Sequence, residues 1–194
     1  MRLLNLTNII TLLILIAFPL EVCFGQEFKI DNNESFLIVH GTSSLHDWDV
    51  KADSYTASIS FKDSKTESID KLKVEVLAES LKSGKRGMDK NTYKALNTKE
   101  FKKIIFISTN TKVLSQITET KYKVEVMGNL TISGKTNAVS LKFDVEIDNN
   151  KVKLYGEKKI KMTDFNIEPP KALLGTITTG DDITIKFETI FKKQ

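Results

Sequence analysis

The chain has 194 residues, a net charge of +4, a sequence pI near 9.0 and one cysteine, Cys23. A lone cysteine excludes an intrachain disulfide and a cysteine-built metal site. Lysines scattered along the chain, rather than gathered in a patch, argue against nucleic acid as a partner and for a solvated basic surface.

The first element is a targeting segment. Met1-Arg2 makes a short positive start, an apolar run fills residues 9–20, and Cys23-Phe24-Gly25 puts small residues at −3 and −1 of a cut before Gln26. That is the layout of a secretory signal peptide. The run is shorter than the about 20 apolar residues a spanning helix needs. A lipoprotein cut at Cys23 would want small residues where Glu21 and Val22 stand. We therefore expect residues 1–25 to be removed and residues 26–194 to form one domain, periplasmic or secreted. Cys23 leaves with the segment, so stability must come from apolar burial and backbone hydrogen bonding. Asn33-Glu34-Ser35 and Asn129-Leu130-Thr131 fit the glycosylation sequon.

Period-2 alternation dominates the rest. Tyr55, Ala57, Ile59 and Phe61 form one apolar face, and Leu72, Val74, Val76 and Ala78 the next. Tyr122, Val124, Val126, Gly128, Leu130 and Ile132 follow, then Val139, Leu141, Phe143, Val145 and Ile147, and finally Ile183, Ile185 and Phe187. Alternate side chains on a strand point to opposite faces, so each stretch is half-buried, as in antiparallel sheets. Residues 36–42, 104–107 and 152–162 complete eight main strands, less cleanly patterned. Turn signals separate several of them: Asp31-Asn32-Asn33, Ser133-Gly134-Lys135, Asp148-Asn149-Asn150 and Gly180-Asp181-Asp182. One helix is expected between strands 3 and 4, over residues 89–97, capped by Asp89 with Met88, Ala95 and Leu96 as its apolar stripe; Thr98 caps a further turn. Eight one-sided strands can close as a sandwich or as a barrel, and strand length favours the barrel.

Motifs for chemistry are few. Gly84-Lys85-Arg86-Gly87 lacks the spacing of a phosphate loop. His46-Asp47-Trp48-Asp49 is the one conspicuous polar cluster; metal or acid–base work would need more convergent ligands. The simpler reading is a turn in which Asp47 bonds local amides and Trp48 plugs one end of the fold. Arg86, the single arginine beyond Arg2, suits a carboxylate or phosphate better than the surrounding lysines do, or makes a structural ion pair. No catalytic residue, metal or cofactor is assigned, and an enzyme is not expected.

Leu81-Lys82-Ser83-Gly84, Arg86-Gly87-Met88-Asp89, Tyr93-Lys94-Ala95-Leu96 and Phe101-Lys102-Lys103-Ile104-Ile105-Phe106 together resemble the central segment of the YceI-like family of exported lipid-binding proteins. Gly128-Asn129-Leu130-Thr131-Ile132-Ser133-Gly134-Lys135-Thr136 is similar to its hairpin, Met162-Thr163-Asp164-Phe165-Asn166-Ile167 to its late element, and Gly180-Asp181-Asp182-Ile183 to the start of its closing strand. Met162 and Asn166 stand where the family has Arg and Gly, and Asn33-Glu34-Ser35 replaces its early His-Ser. The resemblance implies an all-β, eight-stranded, antiparallel, lipocalin-like barrel holding a polyisoprenoid or the tail of an isoprenoid quinone.

The wall candidates for such a ligand are Tyr55, Ile59, Val74, Val76, Val124, Val126, Leu141, Phe143, Ile185 and Phe187. His46, Asp47, Trp48 and Arg86 are candidates for its head group or for end-loop roles. Alternation does not distinguish a hollow barrel from a filled one. The alternative function is therefore a filled barrel that binds protein partners, or serves in stress, through its end loops. Beyond an apolar lipid, transient contact with a membrane surface and a homodimer both stay open as partners. Intact mass of the exported protein should correspond to a chain starting at Gln26; a chain retaining residues 1–25 contradicts the targeting reading.

Overall fold

The computed structural model describes residues 27–62, 69–148 and 150–193; residues 1–25, expected to be a targeting segment, lie outside them. The strands are β1 (Glu27–Ile30), β2 (Phe36–Ser43), β3 (Trp48–Ala52), β4 (Tyr55–Phe61), β5 (Ile69–Leu77), β6 (Leu81–Lys82), β7 (Lys103–Gln116), β8 (Lys121–Ile132), β9 (Lys135–Asp148), β10 (Lys151–Lys161), β11 (Lys171–Ala172) and β12 (Ile177–Lys193). One helix, α1 (Arg86–Ala95), lies between β6 and β7. The ladder runs β1-β4-β5-β7-β8-β9-β10-β12, and β12 pairs back onto β1, so eight antiparallel strands close a ring. Closure pairs the first and last staves with each other, so neither is the free outer strand that each sheet of a sandwich would have.

The remaining strands continue the wall at one end. β2 follows β1 along the same edge of β12, β3 pairs with β2, and β6 pairs with β3. The first three barrel staves are thus β1 with β2, β3 with β4, and β5 with β6, each broken once. The breaks lie side by side. Asn32 Nδ2 donates to Tyr55 O at 3.0 Å, Asp53 N to Ser80 O at 3.0 Å, and Leu77 N to Ser54 O at 3.2 Å. Asx and serine groups suit such a crease because their side chains replace lost ladder bonds. At the first break, Lys192 of β12 reaches Asp31 and Glu34, the latter at 2.7 Å, and holds both carboxyls below the usual carboxylate range.

The ring is packed solid at one end. Phe28, Ile59, Phe61, Val124, Val126, Val145, Val152 and Phe191 are almost wholly buried there, and Phe28 meets Phe61 edge to face at 5.8 Å. A second cluster, Val50, Ala52, Tyr55, Val76 and Leu81, lies along the crease and the continued staves.

One ladder stops short. β9 and β10 pair from Asp148 and Lys151 only as far as Phe143 and Gly156. Beyond that point β9 stays with β8 and β10 with β12. Asn137 Nδ2 bridges the far side of the gap by donating to Asp164 O at 2.7 Å. Gly156 stands at the last pair, where a Cβ would lie 2.7 Å from Phe143 Cβ.

Several expectations need correction. The helix does not fall between strands 3 and 4: it follows β5 and the two-residue β6, because the count from sequence omitted the short β1 and β3. It begins at Arg86 rather than at residue 89, and Asp89 does not cap it. Asp89 sits inside the first turn and accepts from Ser83 N at 2.8 Å and Ser83 Oγ at 2.6 Å, which lowers its pKa. Thr98 is buried and donates to Glu79 Oε1 at 2.8 Å; Asn97, at φ 47°, opens the turn to Phe101. Residues 104–107 belong to the 14-residue β7, whose two register shifts against β8 hide its alternation. Gly180-Asp181-Asp182 is not a turn between strands but an irregularity inside the 17-residue β12.

Truncating Phe28 to alanine should cost about 3–5 kcal/mol, the range for a buried phenylalanine in a close-packed core. Urea unfolding measures it, and a loss below about 1 kcal/mol contradicts a solid end.

Candidate functional site

Above the packed end the barrel is hollow. A cavity of about 740 Å³ opens at the end formed by β2, β3, β6 and α1. Its wall is almost entirely aliphatic and aromatic, with Phe143 and Phe187 meeting edge to face at 5.7 Å. Of the ten wall candidates, Tyr55, Val74, Val76, Leu141, Phe143, Ile185 and Phe187 border this space. Ile59, Val124 and Val126 lie instead in the solid end, where inward-facing side chains meet one another. Alternation identifies the inward face but not the depth at which the barrel stops being full.

Helix α1 spans the mouth and turns Met88, Ala95 and Leu96 toward the cavity. It is fastened along its length. Ser83 and Asp89 tie its start, and Tyr93 Oη donates to Leu81 O at 3.0 Å. Ser133 Oγ, at the β8–β9 turn, donates to Leu96 O at 3.0 Å. Lys82 reaches Tyr93 Oη at 2.5 Å and lies 5.0 Å from the ring centre; this contact raises the lysine pKa.

The His46-Asp47-Trp48 segment lies at the mouth. Trp48 begins β3 and borders the cavity, with Nε1 donating to Thr42 O at 2.9 Å. Its ring occupies the space over Gly41, where a Cβ would come within 2.1 Å of Trp48 Cζ2, so only glycine fits opposite it. The turn is organised by Ser43, not by Asp47 as expected. Ser43 Oγ accepts from His46 N at 3.1 Å and Leu45 N at 3.3 Å, and donates to His46 O at 2.7 Å. Asp47 is exposed and does not border the cavity; His46 does, and its Nδ1 lies 2.7 Å from Asp47 O. His40 pairs with Asp49 across β2 and β3. Among the described residues, no three His, Cys, Asp or Glu side chains are placed to share a metal ion. Arg86 is exposed, outside the cavity wall, and without an ion pair among the described residues.

Two polar groups stand out within the wall. Burial pushes the Tyr55 phenol above its ordinary pKa, so it stays a neutral donor. Lys158 lies on the inward face of β10, in step with Val152, Leu154, Gly156 and Ile160. It borders the unpaired stretch between β9 and β10, and no acidic partner stands beside it among the described residues. Its neighbours in sequence, Lys159 and Lys161, face outward, so a run of lysines gave no signal that one points in.

The late element supplies wall that alternation missed. Met162, Phe165 and Ile167 border the cavity from a single turn after β10. Thr163 donates to Asp181 from both N, at 2.9 Å, and Oγ1, at 2.6 Å, which lowers the Asp181 pKa and pins this turn to β12. Asn166 holds φ 58°, a conformation that asparagine tolerates where glycine is the usual choice. Period 2 reaches Met162 at the end of the 152–162 stretch but has no purchase on the turn beyond it, and the family-like motif there carried no expectation of a wall role.

Similar folds occur among solved structures. Burkholderia cenocepacia BcnA superposes with a TM-score of 0.69 at 18% identity, covering 83% of this chain and 98% of that one. A polyisoprenoid-binding domain from Saccharophagus degradans, implicated in plant cell wall breakdown, gives 0.70 at 13% identity, covering 88% and 100%. A Campylobacter jejuni YCEI protein gives 0.56 at 21% identity, covering 73% and 81%. No curated protein sequence matches the chain. The YceI-like domain model matches residues 28–191, from the first strand to the last, and the chain belongs to that family.

Proposed function

We propose that this protein is an exported binding protein that holds an apolar lipid, a polyisoprenoid or the tail of an isoprenoid quinone, in the hollow half of its barrel. The observation that carries the reading is the one-ended apolar cavity of about 740 Å³. That volume lies within the range of small-molecule sites, about 300–1,000 Å³. The name of the Saccharophagus degradans domain supports the ligand class. A prenyl chain has no hydrogen bonds to satisfy along its length, so a wall of valine, leucine, isoleucine and phenylalanine solvates it without a polar penalty. Each methylene transferred from water contributes about 0.8 kcal/mol, offset in part by ordering the chain.

In this reading Tyr55, Val74, Val76, Leu141, Phe143, Ile185 and Phe187 touch the lipid. Ile59, Val124 and Val126 act one layer below, as the packed floor. The head group lies toward the mouth, within reach of Trp48 and His46, with Lys158 in the β10 wall behind them; the Tyr55 hydroxyl lies deeper, at the crease. Binding, protection from water and release need no covalent step.

Organic extracts of the purified protein should contain a prenyl lipid by mass spectrometry. Trp48 is the one tryptophan, so its emission should shift as delipidated protein takes up quinone. Leu141→Trp fills cavity space and should weaken uptake more than tenfold, on the displacement of about two methylenes at ~0.8 kcal/mol each. Repeated lipid-free preparations that also fail to take up quinone overturn the reading.

A further inference from the structure

We propose that the cavity mouth docks on an anionic lipid bilayer, with Leu45 and Leu174 set into the interface and Lys85, Lys90 and Lys171 over its head groups. This rests on the reading that the cavity takes a lipid, and it adds where that lipid is exchanged.

Two apolar side chains stand out at this end. Leu45, at the β2–β3 turn, is 66% exposed, and Leu174, at the tip of the β11–β12 hairpin, is fully exposed. Their loops are one platform: Ser44 N donates to Thr178 O at 2.9 Å, and Thr178 N donates to Ser44 Oγ at 3.1 Å. Leu174 also holds φ 58° and ψ 29°, the left-handed region that a leucine disfavours. In water it gains neither from its backbone nor from its side chain. Strain of this kind points to a use, and here that use is to project an apolar group away from the barrel.

The charges around these leucines fit one partner. Lys85 and Lys90 on or beside α1, and Lys171 in the hairpin, all border the cavity, and Arg86 adds a further cation next to Lys85. Exposed Asp47, Asp49, Asp164, Asp182 and Glu168 also lie at this end, with Glu168 3.7 Å from Lys171, but among the described residues no acidic side chain borders the cavity. The rim itself is basic. Isolated apolar anchors with a lysine collar are the composition of reversible attachment to anionic membranes. A protein partner would want a continuous apolar face, whereas here the apolar surface between the tips is the cavity itself. Of the other exposed large apolar residues, Phe36 and Leu77 stand singly on β2 and β5, and Ile107, Val113, Leu114, Ile117 and Met127 lie on β7, β8 and the turn between them; none borders the cavity.

Co-sedimentation of the exported chain with vesicles tests this. Phosphatidylcholine vesicles blended with phosphatidylglycerol should carry the protein down, pure phosphatidylcholine should not, and added salt should release it. Combined Lys85→Glu, Lys90→Glu and Lys171→Glu should weaken vesicle binding roughly a hundredfold. Lys112→Glu, on the outer face of β7, should leave it unchanged. Leu174 lies outside the cavity wall, so Leu174→Ser should lose about tenfold or more in vesicle binding while taking up detergent-dispersed quinone as before. A wild-type protein that loads quinone yet ignores phosphatidylglycerol vesicles, or binding indifferent to the triple charge reversal and to Leu174→Ser, overturns the docking proposal and leaves the cavity reading standing. Failure to load quinone at all overturns both.

Discussion

Everything in this barrel depends on β12 being hydrogen-bonded along both edges. Seventeen residues long, it pairs with β10 on one side and with β2 and then β1 on the other. With no disulfide among the described residues, this ladder, helped by the Lys192 contacts to Asp31 and Glu34, holds the first and last strands together. Loop-closure entropy between the first and last strands is recovered only when that pairing forms, so the ring gains its last contacts late and all at once.

Closure by a two-part partner imposes the rest of the shape. Because β1 and β2 share one edge of β12, the step at residues 31–35 must be accommodated by the staves beside it. The breaks at Asp53-Ser54 and at Ala78–Ser80 do so in register. Close to this crease the filled half gives way to the hollow half. On one side, phenylalanines and β-branched residues meet across the axis. On the other, aliphatic and aromatic side chains line an open space without meeting across it, and a helix spans the opening rather than entering it.

Much of this was legible in the sequence. Wherever a strand keeps its register, as in β4, β8 and β9, the apolar face read from alternation is the inward face. Legibility fails where register fails. The bulges in β7 erased its period, and β1 and β3 are too short for a pattern to accumulate. The Gly180-Asp181-Asp182 irregularity resembles a turn because it has the composition of one. The site was harder. Val124 and Val74 carry the same signal in sequence, yet one packs into the floor and the other borders the cavity, since depth along the axis is set by the crease and by α1. Lys158 was invisible for the opposite reason: a lysine among lysines reads as surface until the strand's phase is known.

The division into a full half and an empty half separates two kinds of selection. Substitutions in the solid half act on whether the ring closes, and few can be tolerated in close packing. Substitutions around the cavity change what fits inside while leaving closure to residues elsewhere. A barrel built this way can exchange one cargo for another over evolutionary time without passing through a sequence that fails to fold.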